Sequence, residues 1–121
     1  MPYGTKIHHK GYTLKSRHEH AWALWFDWEG VEWAYELKKF RGNPVGVYTP
    51  DFYLPKYNVF VEIKPFDQGS WNKIELCKDK LLICFGTPDK HYVRYKEAGA
   101  LTLKPGRWKD FDAALYDVCN P

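Results

Sequence analysis

Two acids and a lysine near the middle of the chain have types and spacing suited to phosphodiester chemistry. Asp51 follows Pro50, and Glu62 and Lys64 lie at the end of the next apolar segment. Carboxylate oxygens are the ligands that hard cations such as Mg²⁺ prefer. An ammonium group beside them can position a water molecule or neutralise a developing oxyanion. Two acids and a lysine around a metal ion therefore predict hydrolysis of a phosphodiester bond.

A β-hairpin is the element that must bring these residues together. The sequence predicts strands over residues 47–54 and 58–64, with a two-residue turn at Lys56 and Tyr57. In this register Asp51 lies opposite Glu62, and like charges placed so closely repel unless a cation lies between them. Period-two alternation then places one apolar set on the core face, namely Phe52, Leu54, Val59, Val61 and Ile63.

A simpler interpretation of the same residues is that both acids are solvated at a sheet edge. Lys64 would then be an ordinary ion-pair partner that contributes little to stability. Against this, the acids share their face with Tyr53 and Phe60, which disfavours full exposure to water. A slip of one residue in the pairing would also turn the apolar set away from the core.

The hairpin resembles a known family. Pro50-Asp51 followed by Glu62-Ile63-Lys64 is similar to the signature of the PD-(D/E)XK nucleases. The segments YTPDFYLP and VFVEIKP resemble small phage and mobile-element nucleases of the Holliday-junction-resolving endonuclease I type, and more distantly the transposon-end nucleases. The resemblance extends over residues 16–85 and is greatest in the hairpin.

This resemblance implies a set of roles. Asp51, Glu62 and the carbonyl of Ile63 would be metal ligands, Lys64 the catalytic lysine, and Mg²⁺ the cofactor, with Mn²⁺ able to replace it. Glu19 would be an additional metal or water ligand on the first helix. A second interpretation of Glu19 stays open, because Ser16 and Glu19 have the spacing of a capping box at a helix start.

The predicted order of elements is α-β-β-β-α-β-β-β-α. The resemblance implies a restriction-endonuclease-like core, a central mixed sheet flanked by helices, so the predicted fold class is α/β with an α+β mixed sheet. Apart from the hairpin, the pattern predicts a largely buried helix from residue 16 to a stop at 30, a strand over 31–37, and loops over 38–46 and 65–70. Farther along the chain it predicts a helix over 71–80, a strand over 81–85, a hairpin of strands 92–95 and 100–103, and a closing helix over 108–118. Four tryptophans are predicted to belong to the core and not to a base-stacking platform: Trp22, Trp25, Trp28 and Trp33.

Composition narrows the class of protein. The chain has 121 residues, of which 45% are apolar and 27% charged, which fits a single globular domain over residues 1–121 and excludes a disordered or collagen-like chain. No apolar run is long enough to span a bilayer, and the N-terminus lacks the apolar stretch of a secretory signal. The three cysteines form no CxxC pair, so we expect reduced thiols in a cytoplasmic protein, in the host cytoplasm if a phage encodes it.

Positive charge is concentrated near the N-terminus. The net charge is only +3, but residues 1–15 form a basic arm without an acid. Such an arm suits phosphate contacts, although a mobile solvated terminus has the same composition. The residues predicted to contact DNA are Lys6, Lys10, Lys15, Arg17, Arg41 and Lys73, with Lys80 as a further candidate.

The leading hypothesis is a metal-dependent DNA endonuclease, with the preferred DNA structure left open. One alternative is a catalytically silent nucleic-acid-binding module with the nuclease fold. Another is a structural or interaction domain that carries the motif by chance. A single domain has one active site and cuts one strand, so cutting both strands predicts a homodimer.

Overall fold

The structure is a computed structural model that describes residues 7–42, 46–67 and 73–119. Within these ranges, nine strands and two helices follow each other. The strands are β1 (Ile7–His9), β2 (Tyr12–Leu14), β3 (Ala34–Tyr35), β4 (Phe40–Gly42), β5 (Gly46–Tyr48), β6 (Phe52–Leu54), β7 (Val59–Lys64), β8 (Leu81–Thr87) and β9 (Lys90–Lys96). The helices are α1 (Arg17–Glu29) and α2 (Phe111–Cys119), and a single 3-10 turn covers Ile74–Leu76.

A five-stranded mixed sheet forms the centre of the fold. Its strand order is β3-β6-β7-β8-β9, in which only β7 and β8 pair in parallel. Strands β1 and β2 form one separate ribbon, and β4 and β5 form another. This α+β arrangement of a mixed sheet with helices confirms the predicted fold class. Among the described residues, no helix is both long and apolar enough to cross a membrane.

The predicted register of the central hairpin is confirmed. Phe52 pairs with Val61 and Tyr53 with Phe60, and the five alternating apolar residues all lie in the main core. The predicted two-residue turn is wrong, because the turn spans residues 55–58 and Asn58 has a φ of 52°. The Leu54 carbonyl accepts hydrogen bonds from the amides of both Tyr57 and Asn58, which closes the longer turn without changing the register.

Helix α1 begins and ends as its sequence predicts. Ser16 is the N-cap, and its hydroxyl accepts a hydrogen bond from the Glu19 amide at 3.1 Å. Gly30 ends the helix with a φ of 72°, a left-handed conformation that glycine adopts without strain. Only one side of the helix packs on the sheet, so the prediction of a largely buried helix is wrong. Trp22 is fully buried, whereas Trp28 is 87% exposed and does not belong to the core.

The sheet is covered on both faces. The larger core lies under α1 and α2, and the smaller one lies under the β4–β5 ribbon and the 3-10 turn. The smaller core contains Phe40, Tyr48, Phe60, Ile74, Leu76, Cys77, Leu81, Ile83 and Phe85. Every residue of β7 from Val59 to Ile63 is therefore buried, which fixes the strand that carries the predicted site.

The predicted N-terminal arm is structured from residue 7 onward. Residues 7–14 form the β1–β2 ribbon, with Lys10 and Gly11 at positive φ in its turn. Leu14 is fully buried in the main core. The ribbon is thus part of the folded domain, and residues 1–6 lie outside the described residues.

Other predicted elements differ in extent. The strand predicted over 31–37 is limited to Ala34–Tyr35. Part of the loop predicted over 38–46 forms β4, which pairs with β5. The strand predicted over 47–54 is divided between β5 and β6. Within the described part of 71–80, the predicted helix is only the 3-10 turn, because Lys73 has a φ of 75° and breaks a regular helix. Residues 100–103 form no strand, since the buried Lys96 ammonium holds the Ala100 carbonyl at 2.8 Å. The closing helix starts at Phe111 because Trp108 instead pairs its backbone with Val93.

Candidate active site

Asp51 lies directly before β6, and its side chain turns onto β7. Its Oδ2 accepts a hydrogen bond from the Ile63 amide at 2.8 Å, and its own carbonyl accepts from the Glu36 amide at 2.9 Å. One step beyond the Phe52–Val61 pair, the register places Asp51 opposite Glu62. The N–H and C=O of one strand residue point to the same edge. The carbonyl of Ile63 therefore faces the side of the strand on which Asp51 lies.

Glu62 is buried between a tyrosine and a lysine. The hydroxyl of Tyr48 donates a hydrogen bond to Oε1 at 2.8 Å. The ammonium of Lys64 lies 3.3 Å from Oε2, and its side chain remains 40% exposed. Glu62 is thus held in place from the β5 side, while Lys64 reaches from the carboxylate towards solvent.

Glu19 reaches the same region from the first turn of α1. Its Oε1 accepts hydrogen bonds from the hydroxyl of Tyr35 at 2.5 Å and from the amide of Lys15 at 3.1 Å. The capping prediction is therefore correct for the Ser16 side chain, but Glu19 binds the amide of Lys15 and not that of Ser16. The charge of Glu19 also raises the pKa of both Asp51 and Glu62, so it acts on the predicted site as well.

The electrostatics of the three buried acids are unfavourable. Burial raises the pKa of Asp51 well above its usual value, and the charges of Glu62 and Glu19 raise it further. Burial also raises the pKa of Glu62, although Lys64 and Tyr48 both favour its charged form. Lys15 is the other nearby cation, and it forms an ion pair with Glu36 at 2.6 Å. Asp51 and Glu62 are thus held together although the charge of Glu62 disfavours that of Asp51 and the charge of Glu19 disfavours both.

The donor set fits a hard divalent cation. Carboxylate and carbonyl oxygens from Asp51, Glu62 and Ile63 are the type of ligand that Mg²⁺ and Mn²⁺ take. In the ranges that the structure describes, no three His, Cys, Asp or Glu side chains are grouped so as to hold one ion. Glu19 therefore does not join the other two acids as a third side-chain ligand in this conformation. The fit depends on two carboxylates and one carbonyl.

The predicted DNA-contacting residues are dispersed. Lys10 pairs with Asp27 at 3.0 Å, and the Lys80 ammonium donates to the Val118 carbonyl at 2.8 Å, which ties β8 to α2. Arg17 is exposed at the start of α1, and Lys73 is exposed beside the 3-10 turn. Arg41, which was predicted to lie in a loop, is exposed on β4. Lys6 lies outside the described residues. Of this set, Lys15 is influenced by the acids of the site. Burial alone would lower its pKa, but Glu36, Asp51 and Glu19 together raise it.

Two tyrosines at the site were not predicted from the sequence. Tyr48 is the first residue of the YTPDFYLP segment, so its nearness to Asp51 along the chain was an available signal. Tyr35 lies far from both Glu19 and the motif in sequence, and no spacing rule connects them. Each tyrosine donates its hydroxyl to one acid. Burial is the largest effect that raises the pKa of both hydroxyls, and the neighbouring acids raise it further.

Comparison with protein-family models, with curated proteins and with solved structures found no match for this chain. The side chains of the site are therefore what indicates the function. Their arrangement brings Asp51, Glu62 and Lys64 together at one end of β7, where the charge of Glu19 also acts on both acids.

Proposed function

We propose that this protein is a metal-dependent DNA endonuclease with a restriction-endonuclease-like core. The observation that carries the proposal is the buried pair of Asp51 and Glu62, placed face to face beside the ammonium of Lys64. Buried like charges cost free energy and bring a purely structural domain no benefit. A divalent cation bound by both carboxylates would replace their repulsion with attraction, which explains why the two acids lie so close together.

Each residue then has a defined task. Asp51, Glu62 and the Ile63 carbonyl would hold Mg²⁺, for which Mn²⁺ can substitute. When bound, the ion would supply a Lewis acid that polarises the phosphoryl oxygens and lowers the pKa of the attacking water. Tyr48 keeps the Glu62 carboxylate in position through its 2.8 Å hydrogen bond. Glu19 is a positioning residue that links α1 to the β3 strand through Tyr35.

Lys64 acts on the reacting groups. Its ammonium lies beside Glu62 and extends towards solvent, where it can orient the attacking water and stabilise charge on the phosphoryl oxygens. The water oxygen loses a proton to solvent and forms a bond to phosphorus, the bond between phosphorus and the 3′ oxygen breaks, and the 3′ oxygen leaves and takes up a proton from solvent. The products are one strand with a 5′ phosphate and one with a 3′ hydroxyl.

Substitution within the hairpin tests this proposal. Purified Asp51→Ala and Lys64→Ala variants are incubated with Mg²⁺ or Mn²⁺ and four DNA substrates: a four-way junction, a flap, a single strand and a plain duplex. We expect each variant to lose cleavage by about 100-fold or more while its circular dichroism is unchanged. Lys56→Ala, which removes an exposed lysine at the other end of the same hairpin, should cut like the parent protein. Mg²⁺-dependent cutting retained by both site variants would contradict the mechanism.

A catalytically silent DNA-binding module is the second candidate. It is favoured by one observation: Glu19 is engaged with Tyr35 and Lys15 and does not complete a three-carboxylate ligand group. Binding of the same DNA panel without any strand scission would support this candidate. Calorimetry with Mn²⁺ tests whether the motif is present by chance in a structural domain. Tight binding of Mn²⁺ by the parent protein that is lost in Glu62→Ala would exclude that possibility.

A further inference from the structure

A surface cleft lies beside the candidate active site, between the end of β7 and the β8–β9 hairpin. Its volume is about 450 Å³. The side chains that matter for its chemistry are Phe66, Asp67, Phe85, Lys90 and Tyr92. None of these residues was predicted from the sequence to contact DNA.

The sheet register places this cleft on the same face as Lys64. Lys64 pairs with Phe85 across β7 and β8, and Phe85 pairs with Tyr92 across β8 and β9. Residues paired in this way lie on one face of a sheet, and neighbouring strands are about 4.8 Å apart. Tyr92 is therefore about 10 Å from Lys64 across the sheet. That distance corresponds to about three nucleotides at the duplex rise of about 3.4 Å per nucleotide, and to fewer in a more extended single strand.

A stack of rings holds a cation over this part of the face. The rings of Phe85 and Tyr92 are stacked with centroids 4.9 Å apart. The guanidinium of Arg107 lies 4.5 Å from the centroid of the Tyr92 ring. The Tyr92 hydroxyl donates to Asp67 at 2.9 Å, which fixes the orientation of the ring. Arg107 is thus held in place before any ligand arrives, which lowers the entropy cost of binding one.

The charges around the cleft are unequally paired. Arg94 forms an ion pair with Asp67 at 3.6 Å. Lys90 and Arg107 are both exposed, and neither forms an ion pair with another residue that the structure describes. Phe66 is also exposed, with 58% of its surface accessible to solvent. Exposed cations beside an exposed ring suit a ligand that combines phosphate groups with flat bases.

We propose that this cleft binds the nucleic-acid strand that continues from the cleaved phosphodiester. Arg107 and Lys90 contact phosphates two or three nucleotides from the cut, and a base stacks on Phe66. Tyr92 is a positioning residue that holds the guanidinium of Arg107. This inference rests on the proposed nuclease function, and it assigns the substrate a single-stranded segment beside the cut, because a base must be unpaired to stack on a side chain.

Binding of a labelled single strand tests the inference. The full-length protein is titrated into a fluorescein-labelled oligonucleotide of 15 thymidines, with Ca²⁺ in place of Mg²⁺ and at several salt concentrations. We expect Arg107→Ala to weaken binding about fivefold to tenfold and to reduce the slope of log affinity against log salt by about 0.7. Phe66→Ala should weaken binding about fivefold or more but leave that slope unchanged, since stacking releases no counterion.

Lys104→Ala is the matched control. Lys104 is an exposed lysine paired with Glu97, beyond the opposite end of β9 from Tyr92. Its removal changes the net charge as Arg107→Ala does but should change neither affinity nor salt slope appreciably. Arg107→Lys should keep the salt slope of the parent protein while binding more weakly, because lysine lacks the planar group that stacks on Tyr92.

The outcomes separate the two proposals. The cleft proposal would be overturned if Arg107→Ala bound with parent-like affinity and salt slope. It would also be overturned if the parent protein did not bind the oligonucleotide. A parent protein that binds through Arg107 but cuts no DNA with Mg²⁺ would support the cleft and count against the nuclease. A parent protein that cuts DNA, with Arg107→Ala cutting equally well at limiting substrate, would support the nuclease and overturn the cleft.

Discussion

The surroundings of Asp51 oppose a negative charge on its side chain. Its side chain is buried, it lies opposite Glu62, and the charge of Glu19 also acts on it. The hydrogen bond from the Ile63 amide is the favourable contact that holds it. A residue kept in such a place lowers the stability of the metal-free protein, and this cost can be measured.

Asp51→Asn should make the metal-free protein more stable. The amide oxygen of asparagine still accepts from the Ile63 amide, while the repulsion from Glu62 and Glu19 is removed. We expect the free energy of unfolding near pH 7, measured with urea in the presence of a chelator, to rise by about 1–2 kcal/mol. Asp89→Asn, in the exposed turn between β8 and β9, should change it by less than about 0.5 kcal/mol. A destabilised Asp51→Asn protein would show that the acid is satisfied without a cation.

Tyr48→Phe should weaken the site without unfolding it. The substitution keeps the ring in the smaller core and removes the hydroxyl that donates to Glu62. A buried hydrogen bond to a charged group contributes about 1.5–3 kcal/mol, so we expect a loss of that order in urea unfolding. Cleavage should fall as well, because Glu62 loses its fixed position.

Tyr53→Phe is the matched control for that experiment. Tyr53 lies in the same hairpin, and its hydroxyl donates to Asn58 on the exposed side. We expect a change below about 0.5 kcal/mol and normal cleavage. Equal effects of the two substitutions would mean that the Tyr48 hydroxyl has no special role.

The sequence predicts the acids at this scale but not their partners. Period-two alternation is enough to place Asp51 and Glu62 on one face, because five apolar residues must face the core together. The hydroxyls of Tyr35 and Tyr48 come from strands whose pairing depends on tertiary packing. Residue spacing contains no information about such contacts.

Among the elements, the β1–β2 ribbon makes polar contacts with α1 through Asp27. Asp27 accepts hydrogen bonds from His9 at 2.7 Å, from Lys10 at 3.0 Å and from the Trp33 indole at 2.9 Å. Burial alone would raise the pKa of Asp27, but the bonds from Trp33, His9 and Lys10 outweigh it and lower the pKa below its usual value. The charged form of Asp27 therefore stabilises the packing of the ribbon.

Asp27→Asn should destabilise the fold in a way that depends on pH. Because the pKa of Asp27 is lower in the folded than in the unfolded chain, its contribution is present above the usual value of 3.8 and is lost as pH falls through the lowered value. We expect a cost of about 0.5–1 kcal/mol near pH 6, discounted for the partial exposure of the group.

Unfolding measured between pH 3 and pH 7 checks this expectation. The difference between parent and Asp27→Asn proteins should shrink as pH falls below about 4. Asp89→Asn serves again as the surface control. A difference that stays constant over the whole range would show that the charge of Asp27 does not secure the ribbon.

Local signals predict some elements better than others. Helix α1 has a serine N-cap and a glycine stop, so both its ends are predicted correctly. Residues 100–103 have a strand-like composition, but the buried ammonium of Lys96 binds the carbonyls of Cys77, Glu97 and Ala100 and bends the chain into a loop. A lysine that serves as a buried anchor cannot be distinguished by composition from a solvated one.

For the whole molecule, metal binding should be coupled to stability. A ligand that binds only the folded state stabilises it by about 2.7 kcal/mol at a concentration 100 times its dissociation constant. We therefore expect Mn²⁺ or Mg²⁺ to raise the melting temperature of the parent protein relative to protein in a chelator. Glu62→Ala should lose this shift. An equal shift in both proteins would place the cation elsewhere.

The number of chains in solution bears on what the protein can cut. By the proposed mechanism, one Asp51–Glu62 site would cut one strand, so cleavage of both strands would need two copies related by a twofold axis. We expect gel filtration with light scattering to give about twice the chain mass of 14.3 kDa. A mass equal to one chain, together with double-strand cutting, would contradict this expectation.

The fold class is predictable because the pattern of apolar residues is dictated by burial against a sheet. The second core is not predictable from that pattern, since β4, β5 and the 3-10 turn are too short to give a periodic signal. Parallel pairing of β7 with β8 likewise depends on how the intervening residues cross over.

Burial of β7 on both faces has a consequence for how this protein can be altered. In a saturation library selected for folding alone, positions 59–63 should accept few substitutions, since each side chain there is enclosed. The rim formed by Phe66, Lys90 and Arg107 is exposed and should accept many. For the proposed nuclease, new substrate preferences would therefore be best sought by randomising that rim while the strand beneath it is left untouched.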